Sequence, residues 1–145
     1  MEETKKKNFK NIIKGAGIIL IICFFTLPLV QCTQDRSLTA SGWEIATGTG
    51  DLYTEHADGD PFAFLLVIFP AMLLILAFIN KPFSTLRNVS VGGVTFKIIF
   101  IGVAHSRLNS GEFQGMLELT AFNWLVLAIY IGLCVLAQYG KKLEE

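Results

Sequence analysis

The sequence predicts an all-α fold: a four-transmembrane-helix bundle with both termini cytoplasmic and one ordered, acidic extracytoplasmic loop. Three observations lead to this prediction. Hydrophobic residues make up 52% of the 145 residues and charged residues only 17%. Four stretches are long and apolar enough to cross a bilayer. Lysine and arginine cluster in alternate connections between them. The same composition argues against a disordered chain, a disulfide-rich secreted domain and a basic nucleic-acid-binding protein.

The four predicted spans are residues 12–30, 62–79, 89–104 and 121–137, all within one membrane domain of residues 1–145. A helix needs about 20 mostly apolar residues to cross a hydrocarbon core roughly 30 Å thick, because each residue rises about 1.5 Å. The second span is the clearest, since no polar side chain interrupts it.

The third span is the weakest of the four. It contains nine Leu, Ile, Val or Phe residues, which favour insertion by roughly −3 to −5 kcal/mol. Lys97 near its middle offsets about 2.5 to 3.5 kcal/mol of that. Small residues such as Gly92 and Gly93 let neighbouring helices approach closely and assist insertion. We predict a true span; a re-entrant, interfacial or extended segment is the alternative.

The distribution of basic residues sets the predicted orientation. Nine lysines and arginines precede the first span or stand in its first turn, separate the second from the third, or follow the fourth, whereas only Arg36 and Arg107 lie in the other two connections. Because basic residues favour cytoplasmic loops, both termini are predicted in the cytoplasm. Residues 31–61 then form an outer loop with six acidic residues against Arg36, a net charge of −5.

A short helix is predicted inside this outer loop. Ser41-Gly42-Trp43-Glu44 has the spacing of a capping box, in which serine and glutamate satisfy free backbone donors at a helix start. Gly48 is a suitable stop. We therefore expect a helical turn over Gly42–Thr47, with Trp43 at the level of the lipid headgroups. A two-strand arrangement is the alternative, because Trp43 and Ile45 alternate with Glu44 and Ala46.

The first span also has some features of a signal peptide, with a lysine-rich start before an apolar run. Leu29-Val30-Gln31-Cys32 is similar to a lipoprotein cleavage box, but Gln31 is not the small residue that such a box requires. We predict that the span is retained as a helix, with Pro28 near its outer end where helices often kink or stop. Lipidation at Cys32 is the alternative.

Several residues around the first outer connection form a pattern: Leu27-Pro28, then Cys32, then Ser41-Gly42-Trp43-Glu44 running into Ala46-Thr47-Gly48. This pattern, together with the layout of the spans, resembles one shared by small bacterial four-helix integral membrane proteins of uncharacterised function. The resemblance implies a bacterial plasma (inner) membrane location and brings no activity with it. The chain departs from the pattern in having Gln31 beside the cysteine.

Three basic residues are candidates for a membrane or ion site. Lys97 at mid-membrane depth is a functional candidate by default, as part of an anion site or a proton relay. The four predicted spans contain no Asp or Glu, so a proton relay has no carboxylate partner there. The alternative is that Lys97 extends toward an interface or caps a neighbouring carbonyl. His105 and Arg107 could meet an anion or a headgroup, or simply anchor the helix end.

The outer loop also contains possible metal ligands. His56 lies near Asp51, Glu55, Asp58 and Asp60, and carboxylates with one imidazole suit a hard cation or zinc. The spacing completes no calcium loop, however, because the later bidentate glutamate is missing. We therefore predict a solvated acidic loop with no metal and no cofactor.

The predicted function is a non-enzymatic binding, accessory or structural subunit in the bacterial plasma membrane. No phosphate loop, metalloprotease motif or nucleophile elbow is present, and the three cysteines form no Cys-x-x-Cys pair. The expected partners are the lipid bilayer and another membrane protein or a second copy, with no nucleic acid. The partner-binding candidates are Trp43, Glu44, Asp58 and Asp60. The alternative is an oligomeric channel or transporter with Lys97 near the pathway, and a membrane-anchored metal-binding module is a weaker third hypothesis.

Overall fold

The computed structural model describes residues 1–50, 58–110 and 114–145. Within them lie five α-helices: α1 (Glu2–Thr26), α2 (Gly42–Thr47), α3 (Leu65–Phe78), α4 (Phe83–Leu108) and α5 (Phe122–Glu144). A 3-10 turn over Pro61–Phe64 leads directly into α3. Helices α1, α4 and α5, and α3 together with its 3-10 turn, are each long and apolar enough to cross a membrane. The four predicted spans are thereby confirmed as helices of sufficient length and apolarity.

A small antiparallel sheet corrects the all-α prediction. Its strands are β1 (Pro28–Cys32), β2 (Thr39–Ser41) and β3 (Leu117–Leu119), in the order β2-β1-β3. The predicted first span of residues 12–30 was therefore too long, because α1 ends at Thr26. A proline disfavours helical geometry in the residue before it, and Leu27 is extended, with φ −81° and ψ 131°.

The predicted third span forms one continuous helix, α4, so the extended alternative was wrong. Its 26 residues correspond to about 39 Å of helix. Helices α1 and α5 also extend beyond the predicted spans, because counting apolar residues marks only the part suited to hydrocarbon. The polar turns at Lys10 and Lys141 continue the same helices.

Each long helix buries one stripe of residues spaced three and four apart, the spacing that left-handed helix bundles use. In α5 the stripe is Asn123, Val126, Tyr130, Leu133, Ala137 and Gly140; in α4 it is Phe83, Leu86, Ser90, Gly93, Lys97 and Ile101. The two helices run antiparallel, since Gly140 lies against the ring of Phe83 and Gly93 lies against the ring of Tyr130. Both glycines permit this close approach.

One end of the bundle, which we call the terminal end, holds both chain termini and the α3–α4 turn. Lys10 near the start of α1 donates a 2.7 Å hydrogen bond from Nζ to Asn80 Oδ1 in the turn. Glu144 at the end of α5 accepts a 3.0 Å hydrogen bond at Oε2 from the backbone N–H of Phe83. The opposite end holds the sheet and α2, and we call it the sheet end.

The predicted helix in the outer loop is confirmed as α2. Ser41 Oγ accepts from the backbone N–H of Glu44 at 3.3 Å, and Glu44 Oε2 accepts from the backbone N–H of Ser41 at 2.7 Å. Gly48 ends the helix in the left-handed conformation, with φ 70°. The two-strand alternative is wrong for this segment, although Ser41 itself closes β2.

Candidate functional site

The most unusual feature of the interior is a buried lysine. Lys97 is only 1% exposed, although it stands near the middle of α4. It follows Arg87 by ten residues and precedes His105 by eight, which places it about 15 Å and 12 Å along the axis from those basic residues. Its burial follows from its register, because Gly93 and Ile101, one turn away on either side, also face the bundle interior.

Asn123 in the first turn of α5 receives the charged end of this lysine. Lys97 Nζ donates a 2.8 Å hydrogen bond to Asn123 Oδ1. The amide nitrogen Nδ2 of Asn123 in turn donates to the carbonyl oxygens of Leu29, at 2.7 Å, and Thr120, at 3.2 Å. Asn123 is fully buried. Its side chain therefore joins α4 and α5 to the start of the sheet.

The backbone at Leu29 is arranged to accept these bonds. Pro28 pairs with Ser41 and Val30 pairs with Ala40, so Leu29 is an extra residue in β1 opposite β2, a β-bulge. The Leu29 carbonyl accepts from Asn123 and also from the backbone N–H of Thr120, at 3.0 Å. The sheet therefore supplies a backbone carbonyl that accepts hydrogen bonds beside Asn123, in a part of the bundle whose other side chains are mostly apolar.

The surroundings of Lys97 are otherwise apolar and closed. The Lys97 Nζ lies 4.8 Å from the centroid of the Phe100 ring, within range of a cation–π interaction. A gap of about 10 Å³ remains among side chains that include Phe24, Leu66 and Val126. A cavity needs about 10 to 15 Å³ to hold even one water molecule. Among the residues that the structure describes, the gap beside Lys97 is therefore too small for a substrate.

No carboxylate of the described residues forms an ion pair with Lys97. A transmembrane proton relay normally passes protons between carboxylates, histidines or other groups that change their protonation state. Here Lys97 meets a neutral amide and an aromatic ring. The arrangement can fix the positions of three chain segments, and it offers no second titrating partner among the described residues.

His105 and Arg107 do not join Lys97. Both lie exposed in the last turns of α4, toward the sheet end. Arg107 Nη1 lies 3.1 Å from Asp60 Oδ2, while His105 Nε2 lies 3.0 Å from the side-chain nitrogen of Asn109. Asp60 also caps the 3-10 turn by accepting from the backbone N–H of Phe62 at 3.1 Å. The Arg107–Asp60 pair therefore ties the end of α4 to the start of α3.

The four partner-binding candidates are all at the sheet end, but their surroundings differ. Glu44 is half-buried and engaged in the capping box, and Asp60 is paired with Arg107. Trp43 is 43% exposed, with ring centroids 5.5 Å from Phe25 and 6.0 Å from Phe64. Asp58 is exposed. Trp43 and Asp58 are thus the two candidates whose side chains are open to a partner.

Asp51, Glu55 and His56, which the sequence offered as possible metal ligands, lie outside the described residues. Among the residues that the structure does describe, no group of three or more His, Cys, Asp or Glu side chains is placed to hold a metal ion. The three cysteines, Cys23, Cys32 and Cys134, are free thiols.

Sequence reasoning missed Asn123, the partner that explains the burial of Lys97. A signal for it was present: Asn123 begins a run of buried positions at spacings of three and four, and a polar residue in such a stripe requires a polar partner. What the sequence could not supply was the identity of that partner, 26 residues away.

Comparisons with known proteins add no relative: no family model, no curated protein and no solved structure matches this chain.

Proposed function

We propose that this chain is a small integral membrane protein of the bacterial plasma membrane that acts as a non-enzymatic binding, accessory or structural subunit. One observation carries the proposal. Lys97, the one charged residue that is buried among those the structure describes, lies beside a gap of about 10 Å³ and is hydrogen-bonded to Asn123. A group held in this way maintains the packing of the bundle and is closed to a substrate.

The exposed helix faces support a location in lipid. Ile19, Ile75, Ile99 and Ile131 are each about half exposed on the four long helices, where a water-soluble protein would carry polar residues. On α5, Trp124 is 61% exposed and Tyr139 is 60% exposed. The two residues are fifteen positions apart, which corresponds to about 22 Å along the helix axis. This separation suits two aromatic side chains that settle at opposite bilayer interfaces.

The distribution of charge supports a cytoplasmic terminal end. Nine lysines and arginines belong to the segments at that end, whereas Arg36 and Arg107 belong to connections at the sheet end. The sheet end would then face outward with its acidic residues, of which Asp35 and Asp58 are exposed. The resemblance to small bacterial four-helix membrane proteins agrees with this placement.

The surface around Trp43 and Asp58 is the part of the sheet end best suited to a protein partner. Trp43 offers a large ring held between Phe25 and Phe64, and a rigid, partly exposed indole is a frequent anchor in interfaces. Asp58 precedes Gly59, which lies against the backbone of Ala46 and Thr47 in α2. It therefore places a negative charge beside the helix that carries Trp43, and a complementary partner would present an apolar pocket with a basic rim.

A photo-crosslinking amino acid at position 58 tests this role in native membranes. The same substitution at Ile75, which is 59% exposed on α3, is the matched control for contact with lipid alone. We expect a discrete crosslinked protein or dimer from position 58 and none from position 75. A chain that gives no adduct from either position and behaves as a solitary monomer in mild detergent would contradict the proposal.

The alternative function is an oligomeric channel or transporter, in which Lys97 would have to line the pathway. A pathway between copies requires the lysine to reach the surface of the bundle, but its side chain is 1% exposed. Anion flux into proteoliposomes separates the two functions. We expect equal, negligible flux from the wild type and from Lys97→Met. A flux that Lys97→Met abolishes would establish the channel instead.

A further inference from the structure

A groove of about 420 Å³ runs between α4 and α5 near the terminal end. Its volume is within the usual range of ligand sites, about 300 to 1,000 Å³. The residues that line it change from basic and amide at the terminal end to apolar toward the middle of the bundle.

Arg87 and Lys142 lie at the polar mouth of the groove. Arg87 Nη1 donates to Gln138 Oε1 at 3.1 Å, and Nη2 donates to Asn88 Oδ1, also at 3.1 Å. These bonds hold the guanidinium between two neutral amides without neutralising its charge. Lys142 Nζ lies 5.9 Å from the centroid of the Tyr139 ring. Neither cation belongs to an ion pair among the described residues.

The floor of the groove is apolar. Val91 lies four residues beyond Arg87 along α4, and Val135 lies four residues before Tyr139 along α5. One helical turn, about 5.4 Å, therefore separates the polar mouth from the apolar floor on each helix. Cys134, a half-buried thiol, lines the floor beside Val135.

We propose that this groove binds one anionic phospholipid. The phosphate would lie between Arg87 and Lys142, with Gln138 available to the rest of the headgroup, and one acyl chain would follow Val91 and Val135 into the bilayer. Arginine can bind two phosphate oxygens through its planar fork, and basic sites between helices at the cytoplasmic side suit such headgroups. The proposal rests on the proposed membrane location, but it does not require a protein partner.

Native mass spectrometry of the detergent-purified chain measures this binding. The probes are phosphatidylglycerol and phosphatidylcholine with identical acyl chains. We expect the wild type to retain one phosphatidylglycerol molecule in preference to phosphatidylcholine. Arg87→Gln combined with Lys142→Gln should weaken phosphatidylglycerol binding about thirtyfold, because each of the two cations near a headgroup contributes roughly 1 kcal/mol. Arg87→Lys, which keeps the charge and loses the planar fork, should give a smaller loss.

Lys6→Gln combined with Lys7→Gln is the matched control. Like the groove variant, it removes two positive charges from the terminal end, but these two charges lie on α1 and away from the groove. We expect this control to bind phosphatidylglycerol within about twofold of the wild type, since distant surface charges are largely screened. Equal losses from the two double variants would overturn the proposal in favour of diffuse electrostatic attraction.

A second measurement locates the lipid. In a Cys23→Ser, Cys32→Ser background, Cys134 is the single remaining cysteine. Alkylation of Cys134 should slow in phosphatidylglycerol and not in phosphatidylcholine. Unchanged alkylation, or a dimer mass in place of a lipid adduct, would overturn the proposal. If the Arg87 variants fail to fold, phosphatidylglycerol binding by Lys142→Gln and the alkylation rate of Cys134 test the proposal without them. Crosslinking from position 58 is a separate experiment, so failure of the partner role and failure of this site remain distinguishable.

Discussion

Lys97 in α4 and Asn123 in α5 are joined by a 2.8 Å hydrogen bond between Nζ and Oδ1, and both side chains are at most 1% exposed. The bond fixes the relative register of the two helices. A shift of α5 by one turn would leave the ammonium and the amide unpaired in an apolar interior, at a cost of several kcal/mol. The buried pair thus selects one helix alignment among the many that apolar packing alone would allow.

Asn123→Leu is expected to destabilise the protein by about 3 kcal/mol, because it leaves a buried lysine without its acceptor. Lys97→Met should cost less, about 1 kcal/mol, since it removes the charge and keeps most of the stem. The double variant should be more stable than Asn123→Leu alone, which reveals the coupling between the two sites. Thermal or denaturant unfolding in detergent measures all three.

Thr95→Val is the control for this series. Thr95 is an exposed polar residue on α4 whose hydroxyl donates to the Val91 carbonyl at 2.9 Å. Its loss should change the free energy of unfolding by less than about 0.5 kcal/mol. A cost equal to that of Asn123→Leu would show that the network has no special role.

Gly93→Ala is expected to destabilise the packing of α4 on α5. A Cβ at this position would lie 2.8 Å from Cδ1 of Tyr130, so the ring or the helix must move. Overpacking of this kind costs about 1 to 3 kcal/mol. Gly102→Ala is the matched control, because a Cβ there meets no atom within 4 Å; it should be neutral or slightly stabilising. Similar melting temperatures for the two variants would contradict the tight contact.

The capping box of α2 predicts an asymmetry between two substitutions of Glu44. Glu44→Ala removes the acceptor of the Ser41 N–H, whereas Glu44→Gln retains a side-chain oxygen at the same place. Hydrogen exchange of the α2 amides should accelerate in Glu44→Ala and in Ser41→Ala, where the lost cap is worth about 1 kcal/mol. Exchange in Glu44→Gln should stay near that of the wild type. Equal acceleration in the Gln and Ala variants would show that charge, rather than the capping geometry, stabilises this helix.

The proposed orientation predicts which side of the membrane each end faces. In a chain whose native cysteines are replaced by serine, Asp58→Cys reports on the sheet end and Glu145→Cys on the terminal end. A membrane-impermeant maleimide added to spheroplasts should label position 58 at once and position 145 only after permeabilisation. The reverse pattern would invert the topology, and with it the assignment of the lipid groove to the cytoplasmic side.

The location of the four long helices was predictable from the sequence, because apolarity over about 20 residues is a local property. The α2 capping box was predictable for the same reason, since Ser41 and Glu44 are three residues apart. The sheet was not predictable in this way: Val30 pairs with Leu119, far away in the chain. Pro28 indicated that the first helix would stop nearby, but it did not indicate that the chain would continue as a strand.

The sequence by itself determined that this protein has four membrane-length apolar helices, which end carries the basic residues, and that one lysine stands among apolar neighbours. Tertiary structure alone decided what happens to that lysine. Burial and hydrogen bonding depend on which residues of distant segments come together, and here the alignment of α4 with α5 and the bulge at Leu29 bring Asn123 and its carbonyl partners to one point. The charge that local sequence presents as a candidate ion site is thus hydrogen-bonded between two helices, and this contact supports the structural role that we propose for it.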